Sequence, residues 1–118
     1  MDQSGYEQLQ KRLKDFAVER NWEQFHSPKN IVMALSGEAG ELTEHFQWLT
    51  EQQSYELDEE KKQEVALEMA DVFIYLMRLA ERLDINLVDK AYEKMDINED
   101  RYPVGKVKGS SKKYNEYE

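Results

Sequence analysis

SGEAGELTEHFQW, residues 36–48, sets acidic side chains into the apolar stripe of a helix. The stripe is Ile31, Leu35, Leu42, Phe46 and Leu49, whose steps of three, four and seven mark one helical face. Glu38 stands where a further apolar residue is expected. Glu41 follows three residues later and so shares its face. Upstream, Ser27-Pro28 reads as an N-cap followed by proline at the first helical position, which predicts a helix over 28–49.

A second acid pair with the same spacing, Glu68 and Asp71, lies on the next predicted helix. Asp58 caps that helix, over 59–83, and Glu59 and Glu60 occupy its first turn, where the helix dipole favours them. Its stripe is Val65, Met69, Val72, Leu76, Leu79 and Leu83, and residues 73–77 are apolar on every side. Residues 50–58 are polar and lack periodicity, which predicts a loop. Two helices joined by so short a loop pack as antiparallel neighbours, so the two acid pairs face each other.

Farther out, Tyr6, Leu9, Leu13, Phe16 and Ala17 give an apolar face to a first helix over 6–20. Residues 21–28 break that pattern. Asn86 with Asp89 three residues on opens a fourth helix over 87–98, which carries Leu87, Val88, Ala91, Tyr92 and Met95. Pro103 and Gly105 end regular structure, leaving an irregular segment over 103–118. The expected architecture is all-α: a single domain over 1–118, a four-helix bundle whose two central antiparallel helices carry the acids. A helix apolar all round in so short a chain calls for a further partner, and a homodimer or homotetramer is expected.

The net charge of -9 argues against nucleic acid as a partner, because phosphate backbones need a basic face. The chain has no cysteine, which removes disulfides and thiolate metal sites. No apolar run approaches the ~18–20 residues of a membrane span, so no membrane partner is expected and the default location is cytoplasmic.

Four carboxylates in a partly apolar setting require protons or a cation to neutralise them. Oxygen donors without cysteine favour Mg²⁺, with Mn²⁺ as a substitute. The alternative is two ordinary acid pairs at a helix margin. Glu44 continues the spacing after Glu41 and reads as a solvated or supporting residue, while Glu59, Glu60, Glu64 and Glu81 read as solvated. A di-iron bundle would need Glu-x-x-His on two helices. Only Glu23–His26 supplies that string, ahead of the second helix. Trp22, Phe25 and His26 cluster in the same loop. Trp48 lies two turns beyond Glu41 and Tyr75 one turn beyond Asp71, so these rings can either stack on a nucleobase or pack the core. From Arg101 to Lys113 five residues are basic and none acidic, which suits either phosphate contact or a solvated tail.

The chain resembles the MazG-like, all-α nucleoside triphosphate pyrophosphatases, and within them the dCTP pyrophosphatases. The resemblance covers residues 8–117. It is carried by RNWEQFHSPKN (20–30), SGEAGELTEHFQW (36–48), EMADVFIYL (68–76), KMDINEDRYP (94–103) and GSSKKY (109–114). It implies that Glu38, Glu41, Glu68 and Asp71 are magnesium ligands. It implies that Trp22, His26, Trp48 and Tyr75 enclose the nucleotide. Asn98, Arg101, Lys112, Lys113 and Tyr114 match a segment that closes the site, and Lys14 matches a position near the substrate where some relatives carry histidine. Gly37 precedes Glu38 where many MazG proteins have a second glutamate, as in the dCTP-type members. The implied reaction is magnesium-dependent hydrolysis of a nucleoside triphosphate, dCTP or a modified dCTP, to the monophosphate and pyrophosphate, with Glu41 or Glu38 assisting the water. Its implied role is nucleotide-pool cleaning. A dUTP-hydrolysing or broad-specificity enzyme and a non-catalytic nucleotide-binding module are the competing expectations.

Overall fold

The computed structural model describes residues 3–109. They form six α-helices and one 3₁₀ turn, and no strand occurs among the described residues. Contacts group the chain into two compact units divided between Ile85 and Asn86.

The first unit contains α1 (Gln3–Glu19), a 3₁₀ turn (Glu23–Phe25), α2 (Pro28–Glu44), α3 (Glu51–Ser54) and α4 (Glu59–Arg82). Its principal packing is α2 against α4, with α1 also against α4. The helices start where the caps place them. Ser27 accepts from the Asn30 amide, and Asp58 accepts from the Lys61 amide. Asn21 and Asp84 end α1 and α4 with φ near 55° and 53°. In both places the next residue's amide reaches back five residues, Trp22 to the Ala17 carbonyl (2.9 Å) and Ile85 to the Ala80 carbonyl (2.8 Å). This left-handed closure satisfies orphan carbonyls and turns the chain sharply, and Asn and Asp tolerate it better than most side chains.

α2 is shorter than the apolar stripe suggests. Beyond Glu44 the amides of His45 and Phe46 bond to carbonyls three residues back, at 3.2 and 3.0 Å, so the helix tightens and gives way to turns. The predicted loop over 50–58 contains one helical turn, α3. A reciprocal capping box holds it: the Thr50 hydroxyl accepts from the Gln53 amide, and the Gln53 side chain accepts from the Thr50 amide.

The core of this unit is small: Tyr6, Ala17, Ile31, Val65, Met77 and Ala80, together with the buried side chain of Arg78. Tyr6 meets Phe73 edge-on at 6.3 Å, and the Gln10 amide donates to the Met77 carbonyl, which ties α1 to α4. Pairings along α2 and α4 run in opposite directions. His26, just before α2, meets Arg78, Glu38 meets Glu68, and Leu42 and Phe46 share a hollow with Val65. The two helices are therefore antiparallel, as expected. Several apolar residues remain exposed in the single chain, among them Met33, Leu67, Met69 and Trp48.

The second unit contains α5 (Leu87–Arg101) and α6 (Val104–Val107). Asn86 caps α5 through the Asp89 amide, as read from the sequence. α5 continues one turn past its predicted end at residue 98, and α6 forms inside the segment expected to be irregular, with Pro103 at its N-cap. No residue of α5 is buried.

Candidate metal centre and adjoining cavity

The antiparallel register of α2 and α4 brings Glu38 and Glu41 against Glu68. One carboxylate oxygen from each lies within 4.8 Å of the other two. Glu38 and Glu68 are half-buried, and Glu41 is exposed. Glu38 Oε2 and Glu68 Oε1 are shielded from solvent by their neighbours, and no hydrogen-bond donor reaches either. Three acids so close raise each other's cost of ionising. Burial, followed by contact with Glu38 and Glu41, pushes the Glu68 carboxyl up to about 7. Contact with Glu68 pulls Glu38 down. Burial and the adjacent Glu41 outweigh it, so Glu38 also stands above the ordinary carboxylate range.

This donor set fits a hard divalent cation. It offers carboxylate oxygens only, gathered from two rigid helices, and two of those oxygens are screened yet unpartnered. A cation would satisfy both and remove the repulsion. Asp71 lies one turn beyond Glu68 on α4, is exposed, and its charge acts on Glu38. It stands outside the tight group of three. Glu44 is exposed and also outside it.

Asp71 also lines a cavity of about 440 Å³ with Leu9, Leu13 and Phe16 of α1, Trp22 and His26 of the connecting turn, and Ile74 and Tyr75 of α4. Arg12 stands at the same cavity. Trp22 packs edge-on to Phe16 at 5.6 Å and to the His26 ring at 6.4 Å. Of the side chains singled out in the sequence, Trp22, His26, Tyr75 and Asp71 thus share one pocket. The sharp end of α1 at Asn21 is what turns Trp22 toward it. Trp48 is 86% exposed and does not line this cavity. Lys14 is not among the lining residues either; its ammonium lies 3.6 Å from Glu81. Asn98 and Arg101 belong to α5 in the second unit. Lys112, Lys113 and Tyr114 lie outside the described residues.

Three residues acquire roles that the sequence reading did not give them. Arg78 is 2% exposed, and all three of its guanidinium nitrogens are engaged: Nε with His26 Nδ1 (3.2 Å), one terminal nitrogen with Glu81 (2.8 Å) and the other with Glu23 (3.2 Å). Glu81 is therefore not a solvated acid; its side chain is 22% exposed and neutralises a buried cation. The available signal was a single arginine inside an otherwise apolar run, YLMRLA. Phe16, read as part of a core face, forms a wall of the cavity and is 42% exposed.

The model of the MazG-like family matches residues 33–117. Human (Homo sapiens) dCTP pyrophosphatase 1 is 44% identical over 112 residues, covering 93% of this chain and 66% of the human protein. The Rattus norvegicus protein of the same name is 44% identical over 110 residues, covering 92% and 65%. The chain thus spans just under two thirds of the length of these curated relatives. The crystal structure of a pyrophosphatase from Archaeoglobus fulgidus superposes with a TM-score of 0.78 at 40% identity, covering 82% of this chain and 91% of that one. With the family match spanning both acid-bearing helices and most of the sequence, the chain belongs to the MazG-like family.

Proposed function

We propose that this chain hydrolyses a nucleoside triphosphate to the monophosphate and pyrophosphate, that its substrate is dCTP or a modified dCTP, and that the reaction depends on magnesium. The observation that carries this reading is the position of Asp71. It adjoins the group of Glu38, Glu41 and Glu68 on one side and lines the aromatic cavity on the other. A phosphate chain and a base have the same relationship in a nucleotide. The named relatives support the reaction and the base.

Glu38, Glu41, Glu68 and Asp71 would hold Mg²⁺, with Mn²⁺ as a substitute. Bound there, the ion supplies charge neutralisation for the phosphates and acidifies water. Glu41, the exposed member of the group, orients or deprotonates the attacking water, with Glu38 as the alternative base. Attack at the α-phosphorus releases pyrophosphate, and most of the rate comes from positioning and electrostatics. Trp22, Phe16 and Tyr75 hold the base by stacking. His26 reads its polar edge. The resemblance alone extends the proposed substrate contacts to Asn98, Arg101, Lys112, Lys113 and Tyr114.

A second copy of the chain covers the exposed apolar residues Met33, Leu67 and Met69, giving a homodimer or a paired dimer. Trp48, which is exposed and outside the cavity of its own chain, meets substrate only through such an assembly.

The test is to incubate the protein with magnesium and each common dNTP in turn and to separate the products. Monophosphate and pyrophosphate, formed fastest from dCTP, are expected. Preference for dUTP would overturn the base assignment and keep the chemistry. Nucleotide binding without turnover of any common dNTP would move the test to base-modified dCTPs, and no turnover of those either would replace the enzyme with a binding module.

A further inference from the structure

Arg78 has an unusual set of partners for a buried cation. Two of its nitrogens face carboxylates, which neutralise it, but the third faces a ring nitrogen. An arginine side chain has only donors, and it keeps its charge in proteins. Its Nε–H can point at His26 Nδ1 only if that nitrogen carries a lone pair and no proton. Of the two neutral forms of imidazole, only the one protonated at Nε2 satisfies the contact. The doubly protonated ring is disfavoured too, since its Nδ1–H would collide with the Arg78 donor. The surroundings agree. Burial lowers the affinity of His26 for a second proton, the charges of Arg78 and Arg82 lower it further, and Glu23 opposes them only in part.

The backbone around His26 is held as well. Arg82 Nε donates to the His26 carbonyl at 3.0 Å, and Ser27, the next residue, caps α2. Trp22 stands edge-on to the ring. Among the described residues nothing bonds to His26 Nε2, and the ring forms part of the cavity wall.

We infer that Arg78 is a positioning residue that locks His26 in the neutral Nε2–H tautomer, so that the cavity presents a fixed hydrogen-bond donor to an acceptor atom on the nucleobase. The donor role rests on the nucleotide reading above; the tautomer lock does not. A ring free to exchange tautomers would offer a donor or an acceptor in turn and could not discriminate between bases. A ring pinned from behind offers one polarity only. Matching a fixed donor to a base acceptor is a form of recognition that penalises any base placing its own donor there.

The tautomer is read directly by nitrogen NMR. Long-range proton–nitrogen correlation on ¹⁵N-labelled full-length protein, without nucleotide, is expected to show His26 Nδ1 unprotonated and Nε2 protonated at neutral pH. A protonated Nδ1 in the unsubstituted protein overturns the lock, whether or not any variant folds. In Arg78→Met, Glu23 is left facing His26, and Nδ1 is expected to gain a proton; an unchanged spectrum in the folded variant also overturns the lock. The α,β-imido analogue of dCTP with magnesium is then expected to shift the Nε2 proton, and Arg78→Met is expected to weaken its binding about tenfold, the equivalent of one hydrogen bond. Binding of the analogue that leaves the Nε2 proton unmoved overturns the donor role. Failure of the analogue to bind, with Nδ1 unprotonated, overturns the nucleotide reading of the cavity and the donor role with it, while the lock itself stands.

Discussion

Glu38 on α2 and Glu68 on α4 confront each other with one screened oxygen apiece, and no donor reaches either atom. Removing any cation therefore leaves a repulsion that protons must relieve.

The pH dependence of stability follows from that pair. Glu68 in the folded chain holds its proton up to about 7, against an ordinary value of 4.5. Its folded-state affinity for the proton is raised, so the folded state binds more protons than the unfolded state between those values. Stability then falls as pH rises through that window. Calorimetry of the metal-free protein from pH 4.5 to 7.5 is expected to show a declining melting temperature, and Glu68→Gln is expected to flatten the decline.

Magnesium should reverse the same trend. At pH 7.5 the cation is expected to bind the ionised acids of the folded chain and to raise its melting temperature by mass action. Glu38→Ala and Glu41→Ala are each expected to abolish most of that rise and to reduce pyrophosphate release at least a hundredfold, with the helical signal in circular dichroism retained. A full magnesium response in either variant would remove these residues from the metal site.

The two tryptophans should report differently. Trp22 lines the cavity and Trp48 does not. In Trp48→Phe, whose remaining indole is Trp22, nucleotide is expected to quench the fluorescence. Trp22→Ala should weaken nucleotide binding roughly tenfold or more, in keeping with the ~1–3 kcal/mol of a stacked base, and leave the magnesium response in place. Titration followed by fluorescence and calorimetry decides both points.

Stability should depend on a few residues far from the acids. Met77 is fully buried, and Met77→Ala is expected to cost about 2–5 kcal/mol. Ser27→Ala removes the α2 cap and is expected to cost about 1 kcal/mol. Urea denaturation at fixed pH and magnesium concentration would measure both.

Much of the helical layout was legible in the sequence because its signals are local. Ser27, Asp58 and Asn86 announce helix starts by the chemistry of one side chain, and all three caps form. The three-residue spacing of Glu38 and Glu41 marks a shared face, and the antiparallel partner brings Glu68 to them. The end of α2 was less legible. Leu42, Phe46 and Leu49 keep the helical spacing past Glu44, but packing can be satisfied by a tighter turn that the spacing does not distinguish. The single turn of α3 is too short for periodicity, although its Thr50–Gln53 box was present to be read. Glu81 looked solvated because its partner, Arg78, is identified as buried only by the packing of α4 against the turn at Glu23.

Arg78 also bears on how this chain can change over generations. One guanidinium joins the 3₁₀ turn, the cavity wall and the interior of α4. Trp22 and Tyr75 line the cavity without that burden, so drift at those two positions can retune its size and shape at little structural risk. His26 is coupled to a buried charge, and altering it leaves Arg78 with an unmet donor. If the cavity holds a base as proposed, selection for a new one would be channelled to the aromatic walls, while the Arg78–His26 contact would be kept with the fold.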